Sequence, residues 1–219
     1  GISGIMNLAA ASGVELSTVS DICTDALTAF GMSAKDSSKF ADILASASSN
    51  ANTNVSMLGE SFKYVAPLCG SMGYSAEDAS IALSLMANAG IKGSQSGTSL
   101  KTALTNMLAP TNSMAGVMEE YGISLTNADG SMKSLKEVMI MLREKMGGLD
   151  EATQGAAAST LFGKEALAGM LSIINASDAD FEKLTNAIYN CDGSAKTMAD
   201  TMQDNLNGKI TQLKSALEG

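Results

Sequence analysis

The chain of 219 residues contains no histidine, and its 14 basic and 23 acidic residues give a net charge of −9 at pH 7. The missing imidazole excludes histidine-based catalytic triads and histidine-ligated zinc, and the acidic balance argues against binding to nucleic acids or anionic membranes. Because 45% of the residues are hydrophobic and only 4% are aromatic, we expect a globular protein with a core of Leu, Ile, Met and Ala.

Helix-start signals recur along the first half of the chain. The segments 33–36 and 75–78 each place a serine three residues before an aspartate, which is the pattern of an N-terminal capping box. Apolar residues follow both segments at helical spacing, and Gly90 ends the second helix. The sequence therefore predicts two short helices, one behind each box.

A glycine-rich segment follows at 90–98, Gly-Ile-Lys-Gly-Ser-Gln-Ser-Gly-Thr. It superficially resembles a phosphate-binding loop, but such a loop follows a strand and has a lysine directly after its last glycine. Here a helix precedes the segment and Thr98 stands in place of the lysine. We interpret it as a helix C-cap and a tight, small-residue connection to a helix that ends before Pro110, since the residue before a proline avoids the α conformation.

The region around Pro110 is the best internal boundary, and it would divide the chain into two lobes, 1–109 and 110–219. Beyond it, the segment 123–133 breaks the helical pattern. Short β-prone runs flank Asp129-Gly130 there, and a glycine after an aspartate is the usual chemistry of a hairpin turn. We expect one very small β-hairpin near 123–133, standing between helices.

The second half of the chain continues with predicted helices at 134–146, 150–162 and 164–174, and with another that starts at Ser177. The last segment, 197–219, repeats apolar residues at intervals of three and four, and these residues are Met198, Met202, Leu206, Ile210, Leu213 and Leu217. This spacing predicts a long amphipathic helix that leads into the rest of a longer chain as a coiled coil. The predicted fold class is therefore all-α, a compact bundle of short helices with a long C-terminal helix.

No run of 18 apolar residues marks a membrane span, and the first residues lack the basic region of a signal peptide. Cys23, Cys69 and Cys191 have no Cys-x-x-Cys spacing, and no histidine is present to activate them, so we expect buried, reduced thiols. Adjacent carboxylates such as Glu119-Glu120 do not face each other on a helix. We therefore predict no catalytic residue, no cofactor-binding residue, no metal ligand and no enzymatic activity.

The 15 methionines are the other unusual feature of the composition. Thioether side chains fill irregular gaps in a core that is poor in aromatic rings, and methionine-rich grooves also serve as adaptable contact surfaces. The helical spacing of Leu135, Met139 and Leu142 favours the core.

Several blocks of the sequence resemble those of phage tail tape measure proteins. The specific part is the block 88–98, Asn-Ala-Gly-Ile-Lys-Gly followed after three residues by Gly-Thr, within a similar stretch from Gly73 to Lys101. Further similar blocks follow in the same order at 107–110, 122–130 and 160–166. The resemblance covers nearly the whole chain and implies that residues 1–219 are a tape measure core module.

The resemblance also implies a function and partners. Proteins of this family span the lumen of a phage tail, determine tail length during assembly and leave with the DNA at infection. The implied partners are further copies of the chain through helix-mediated self-association, the tail tube protein and tail assembly chaperones, with the host membrane as a further contact at infection. The implied locations are the tail lumen of the virion and, during assembly, the host bacterial cytoplasm.

An alternative hypothesis is a membrane-active helical module that forms or assists a channel for DNA entry. Its motivation is the abundance of Ala, Gly and Ser, because small residues allow helices to pack closely in bilayers. The acidic net charge argues against it.

Overall fold

The computed structural model describes residues 2–219, and these residues form eleven α-helices with one 3-10 turn at Ala34–Asp36. The helices are α1 (Ile2–Ser12), α2 (Leu16–Ala29), α3 (Ser37–Asn50), α4 (Val55–Ser71), α5 (Ala76–Asn88), α6 (Gly93–Leu108), α7 (Asn112–Tyr121), α8 (Leu135–Met146), α9 (Glu151–Ile174), α10 (Asp178–Tyr189) and α11 (Ser194–Glu218). The all-α class, the many short helices and the long C-terminal helix predicted from the sequence are confirmed.

Side chains cap the helices at the predicted positions. Four of them accept a hydrogen bond, at 3.0–3.1 Å, from the backbone N–H three residues further on: Ser75, Ser134, Asp150 and Ser177. Each bond satisfies one of the donors that the first turn of a helix leaves free. The box at 33–36 also forms, since Asp36 accepts the N–H of Ser33 at 2.9 Å, but it precedes the 3-10 turn that leads into α3.

The helix-breaking residues also act as predicted. Helix α6 ends at Leu108, two residues before Pro110. Inside α9, Gly163 adopts φ 79° and ψ 170°, which lie outside the helical range, so α9 consists of the two predicted helices on either side of this break. Pro67 is different, because it lies inside α4 and does not end that helix.

The predicted β-hairpin at 123–133 is wrong. In the described part of the chain this segment makes only an isolated antiparallel bridge between Thr126 and Met132, and it contains no strand. The turn is present, with a φ of 85° at Gly130. A two-stranded ribbon is at best marginally stable by itself, and the hydroxyl of Ser124 forms local bonds with the backbone of Thr126 that compete with strand pairing.

Helix α5 lies at the centre of the fold. Eleven of its thirteen residues are buried, and it contacts α3, α4 and α6 on one side of Pro110 and α8, α9 and α10 on the other. Its many alanines and serines keep the helix slim, so these neighbours approach it closely. One hydrophobic core therefore joins residues from both sides of Pro110, and the division into lobes 1–109 and 110–219 stays a prediction.

Most of the seven methionines between residues 107 and 146 belong to this core. Four of them are buried: Met107, Met139, Met141 and Met146. Met114 and Met118 of α7 are partly buried against the core, and Met132 is 39% exposed. The core interpretation favoured by the spacing is thus confirmed for α8, where the sequence argument was made.

Candidate functional site

Chemically reactive side chains are dispersed over the fold. Within residues 2–219, no three His, Cys, Asp or Glu side chains form a group that could hold a metal ion. The carboxylates of Glu119 and Glu120 are exposed on α7 and pair with no cation there. That the chain has no catalytic, cofactor-binding or metal-binding residue stays a prediction.

The three cysteines are free and buried, as predicted. Burial raises the pKa of the Cys23 and Cys69 thiols from the ordinary 9.0 to about 12. Burial, followed in effect by the nearby carboxylates of Asp42 and Asp192, raises the pKa of Cys191 to about 11. All three thiols are therefore protonated near neutral pH, and a protonated thiol is a poor nucleophile.

We expect the folded chain to react slowly with an aromatic disulfide reagent at pH 8, and all three thiols to react at once after unfolding in guanidinium. The raised pKa values of the three thiols also determine how the stability of the fold changes with pH. Their contribution to the free energy of unfolding is fully present below pH 9 and is lost as the pH rises through about 11 and 12. Absorbance of the released thiolate measures the rates, and a native thiol that reacts as fast as an unfolded one contradicts this placement.

The segment that carries the family resemblance, 88–101, is a packing element. Gly90 has a φ of 87° and ends α5, and α6 already begins at Gly93. The connection is therefore only the four residues 89–92, shorter than the sequence suggested, and the rest of the segment forms the first turns of α6.

The start of α6 lies directly against α4. The Ser61 hydroxyl of α4 lies 2.8 Å from the Ser96 hydroxyl and 2.8 Å from the carbonyl oxygen of Gly93. At Gly97, an added Cβ atom would lie only 2.3 Å from the carbonyl oxygen of Ser61. The glycine and serine residues of this block therefore allow the backbones of α4 and α6 to touch. This close contact is a structural reason for the small residues in the block.

Asp78 joins three helices from a position in the first turn of α5, where only 3% of the residue is exposed. Its carboxylate accepts the backbone N–H of Lys136, at the start of α8, at 3.0 Å, and it also accepts the hydroxyl of Tyr189 at the end of α10. The sequence assigned Asp78 to a capping box with Ser75. Ser75 does cap the helix, but the Asp78 carboxylate accepts its hydrogen bonds from α8 and α10 instead of from the backbone of Ser75.

A second carboxylate anchors α11. Asp42 of α3 accepts the backbone N–H of Gly193 at 3.0 Å and that of Ala195 at 2.9 Å. These are free donors at the start of α11, where negative charge is favoured by the helix dipole. Gly193 adopts a φ of 82°, which turns the chain into the helix. The start of α11 is thus held by a residue about 150 positions earlier in the chain.

Beyond this anchor, α11 leaves the core. Ala195 is buried and Met198 is partly buried, but every residue from 201 to 219 is exposed. Five large apolar side chains, each 43–79% exposed, lie on this part of the helix: Met202, Leu206, Ile210, Leu213 and Leu217. We call these five residues the α11 stripe. A continuous exposed apolar surface of this kind marks an interaction site in many proteins, and it is the candidate functional site of this chain.

Helix α1 packs against α11, and it carries two further exposed apolar side chains, Ile2 at 78% and Met6 at 52% exposure. The sequence pattern found the apolar repeat of residues 197–219, whereas the packing of α1 against α11 is a contact between the two ends of the chain that no local pattern reveals.

Among the described residues, one helix, α9, is long and apolar enough to cross a membrane. Half of its most apolar 18-residue window is buried inside the fold, and Gly163 breaks the helix. Core helices commonly meet the same criterion of length and composition. Nothing in the placement of α9 therefore favours the membrane-active alternative.

Comparison with known proteins gives three related findings. A family model described as phage-related minor tail protein matches residues 1–163. The tape measure protein of Pneumococcus phage Dp-1 is 41% identical over 215 residues, which are 98% of this chain and 19% of that protein. A probable tape measure protein of Escherichia phage P2 is 26% identical over 196 residues, 87% of this chain and 24% of that protein. The chain thus spans less than a quarter of the length of these relatives, and no solved structure matches it significantly.

Proposed function

The chain belongs to the phage-related minor tail protein family, and from this premise we propose that it is a structural module of a tape measure protein. The observation that carries the proposal is the 41% identity to a tape measure protein over nearly the whole chain. The module acts in tail assembly, in the determination of tail length and in the delivery of the genome. It is not an enzyme, and its buried carboxylate, Asp78, holds helix ends together.

As a member of a tail protein family, the chain interacts with other tail components. The specific partners in this proposal are further copies of the chain, the tail tube protein and tail assembly chaperones. Its place is the lumen of the virion tail, and the host cytoplasm while the tail is being assembled. The acidic net charge of −9 makes a direct contact of this region with DNA unfavourable.

The α11 stripe supports the role in self-association. Its members recur at intervals of four, four, three and four residues, close to the spacing that places apolar side chains along one seam of a coiled coil. The bonds from Asp42 fix the start of α11 on α3. A folded module with a rigidly anchored, projecting helix can join its neighbours in a defined direction.

The location is tested on purified particles of the phage or prophage that encodes the chain. Peptides from residues 1–219 should be detected by mass spectrometry in intact tails. They should resist added protease there and become sensitive once ejection is triggered, because the tube wall excludes the protease. If the peptides are absent from particles, or are cleaved equally before and after ejection, the proposal is wrong.

We expect the purified chain to self-associate through the α11 stripe. Replacing Leu206 and Leu213 by serine should weaken association at least about tenfold, since each buried leucine contributes about 1.5–3 kcal/mol. Sedimentation velocity over a concentration series measures the effect. Replacing Gln203 and Asn207, which lie on the same helix and bond to each other, by serine is the matched control and should change association little. Equal effects of the two double variants would count against the stripe as the contact.

A further inference from the structure

Helices α2 and α4 contact each other, and a surface cleft with a volume of about 630 Å³ lies along this contact. Small and apolar residues form much of its lining, including Ile22 and Ala26 from α2 and Gly59 and Ala66 from α4. Gly59 lies so close to Ile22 that a Cβ atom there would be 2.6 Å from the Cδ1 atom of Ile22. The cleft is thus a shallow apolar groove whose depth depends on small side chains.

Charged residues line the edge of this cleft, and most of them are acidic. Asp21 and Asp25 of α2 are both exposed and stand one helical turn apart, and Glu60 and Lys63 of α4 complete the set. Lys63 pairs with Glu60 at 3.4 Å. No basic side chain of residues 2–219 lies within 4.0 Å of Asp21 or Asp25. Two like charges at this spacing destabilise a helix, so α2 carries an uncompensated repulsion at the cleft.

Pro67 also lines the cleft from inside α4, and a proline has no N–H to offer a partner. The cleft therefore combines an apolar floor with an edge of three carboxylates and one ammonium, that of Lys63, which pairs with Glu60.

We propose that the α2–α4 cleft is a docking site for a basic amphipathic helix of another protein. Such a helix would place short apolar side chains on the floor and two Lys or Arg residues, one turn apart, against Asp21 and Asp25. Lys and Arg offer only donors and positive charge, which complements this edge. The same charge disfavours nucleic acids and anionic lipids as occupants. The inference rests on the fold of this chain alone and does not depend on its role in a tail.

The test uses the whole chain and a synthetic peptide of about 18 residues, or five helical turns, with Leu and Ala on one face and two arginines four residues apart. Isothermal titration calorimetry should show binding that weakens as salt is added. A peptide of the same composition with scrambled order should not bind. In the variant D21N/D25N the affinity should fall about tenfold, since both charges that face the arginines are lost.

The matched control is D200N/D204N on α11, which changes the same number of charges at the same spacing and should leave the affinity unchanged. Thr18→Trp, which puts a large side chain at an exposed position that lines the cleft, should also abolish binding. The Asn pair at 21 and 25 relieves a repulsion, so circular dichroism should show no loss of stability. Equal losses in the two Asn variants, equal binding of the scrambled peptide, or no binding at all would each overturn the proposal.

Discussion

Replacing Gly97 by alanine should lower the free energy of unfolding by about 3 kcal/mol. The added Cβ atom would lie 2.3 Å from the carbonyl oxygen of Ser61, a backbone atom that cannot turn aside, so α4 and α6 must move apart. That movement would also pull the Ser61 hydroxyl away from Ser96 and from the carbonyl of Gly93. Urea unfolding followed by circular dichroism measures the loss.

Two other helical glycines give matched controls for the same substitution. Gly116 in α7 and Gly155 in α9 have no atom within 4 Å of an added Cβ, so alanine there should stabilise the fold by about 0.5–1 kcal/mol through helix propensity. The same change from glycine to alanine should thus destabilise the fold at Gly97 and stabilise it at Gly116 and Gly155. A similar small gain at Gly97 would show that α4 and α6 do not touch there, and the packing account of the 88–101 segment would fail.

Replacing Asp78 by alanine should cost about 3–4 kcal/mol, the largest effect expected of a polar residue in this chain. Its loss leaves the N–H of Lys136 and the hydroxyl of Tyr189 without their acceptor, at a residue that is only 3% exposed. Asparagine at this position should cost less, because its carbonyl oxygen can keep one of the two bonds. The exposed cap Asp150 is the control, and alanine there should cost about 1 kcal/mol.

A double-mutant cycle separates the bond to Tyr189 from the rest of the effect. Tyr189→Phe and Asp78→Ala, singly and together, should show a coupling energy of about 1 kcal/mol, which two residues that do not interact would lack. The tyrosine also gives a pH signature, because burial and then the bond and charge of Asp78 raise its pKa. Its contribution to stability is fully present below the ordinary value of 10.0 and is lost at higher pH. If the alkaline loss is the same in the Phe variant, Tyr189 is not its source.

These two positions show different relations between sequence and fold. The block around Gly97 is recognisable in the sequence because a backbone contact tolerates no side chain, so its glycines and serines recur in a family resemblance. Asp78 looks like an ordinary member of a capping box with Ser75. Its real partners lie 58 and 111 residues away, and no local spacing connects them.

The interaction surfaces also combine features that a local pattern predicts with features that depend on distant contacts. The apolar repeat in 197–219 is a local pattern, and it correctly predicts a long amphipathic helix. The exposure of the repeat follows from how α11 sits on the fold: Asp42 and the packing of α1 and α3 hold its start, while residues 201–219 leave the core. The α2–α4 cleft depends on tertiary structure, because only the packing of the two helices brings Asp21 and Asp25 to the same cleft as Glu60.

The sequence by itself determined the helical class of this protein, many of its helix boundaries and its family. Those features depend on residues within one or two turns of each other: caps such as Ser134, breaks such as Pro110 and Gly163, and a short block of small residues. Tertiary structure alone decided that the 123–133 segment is not a hairpin, that α4 continues through Pro67, and which carboxylates hold distant helix ends. The physical reason is that burial and hydrogen-bond partners are set by elements far apart in the chain, and these overrule local preference wherever the local difference in free energy is small.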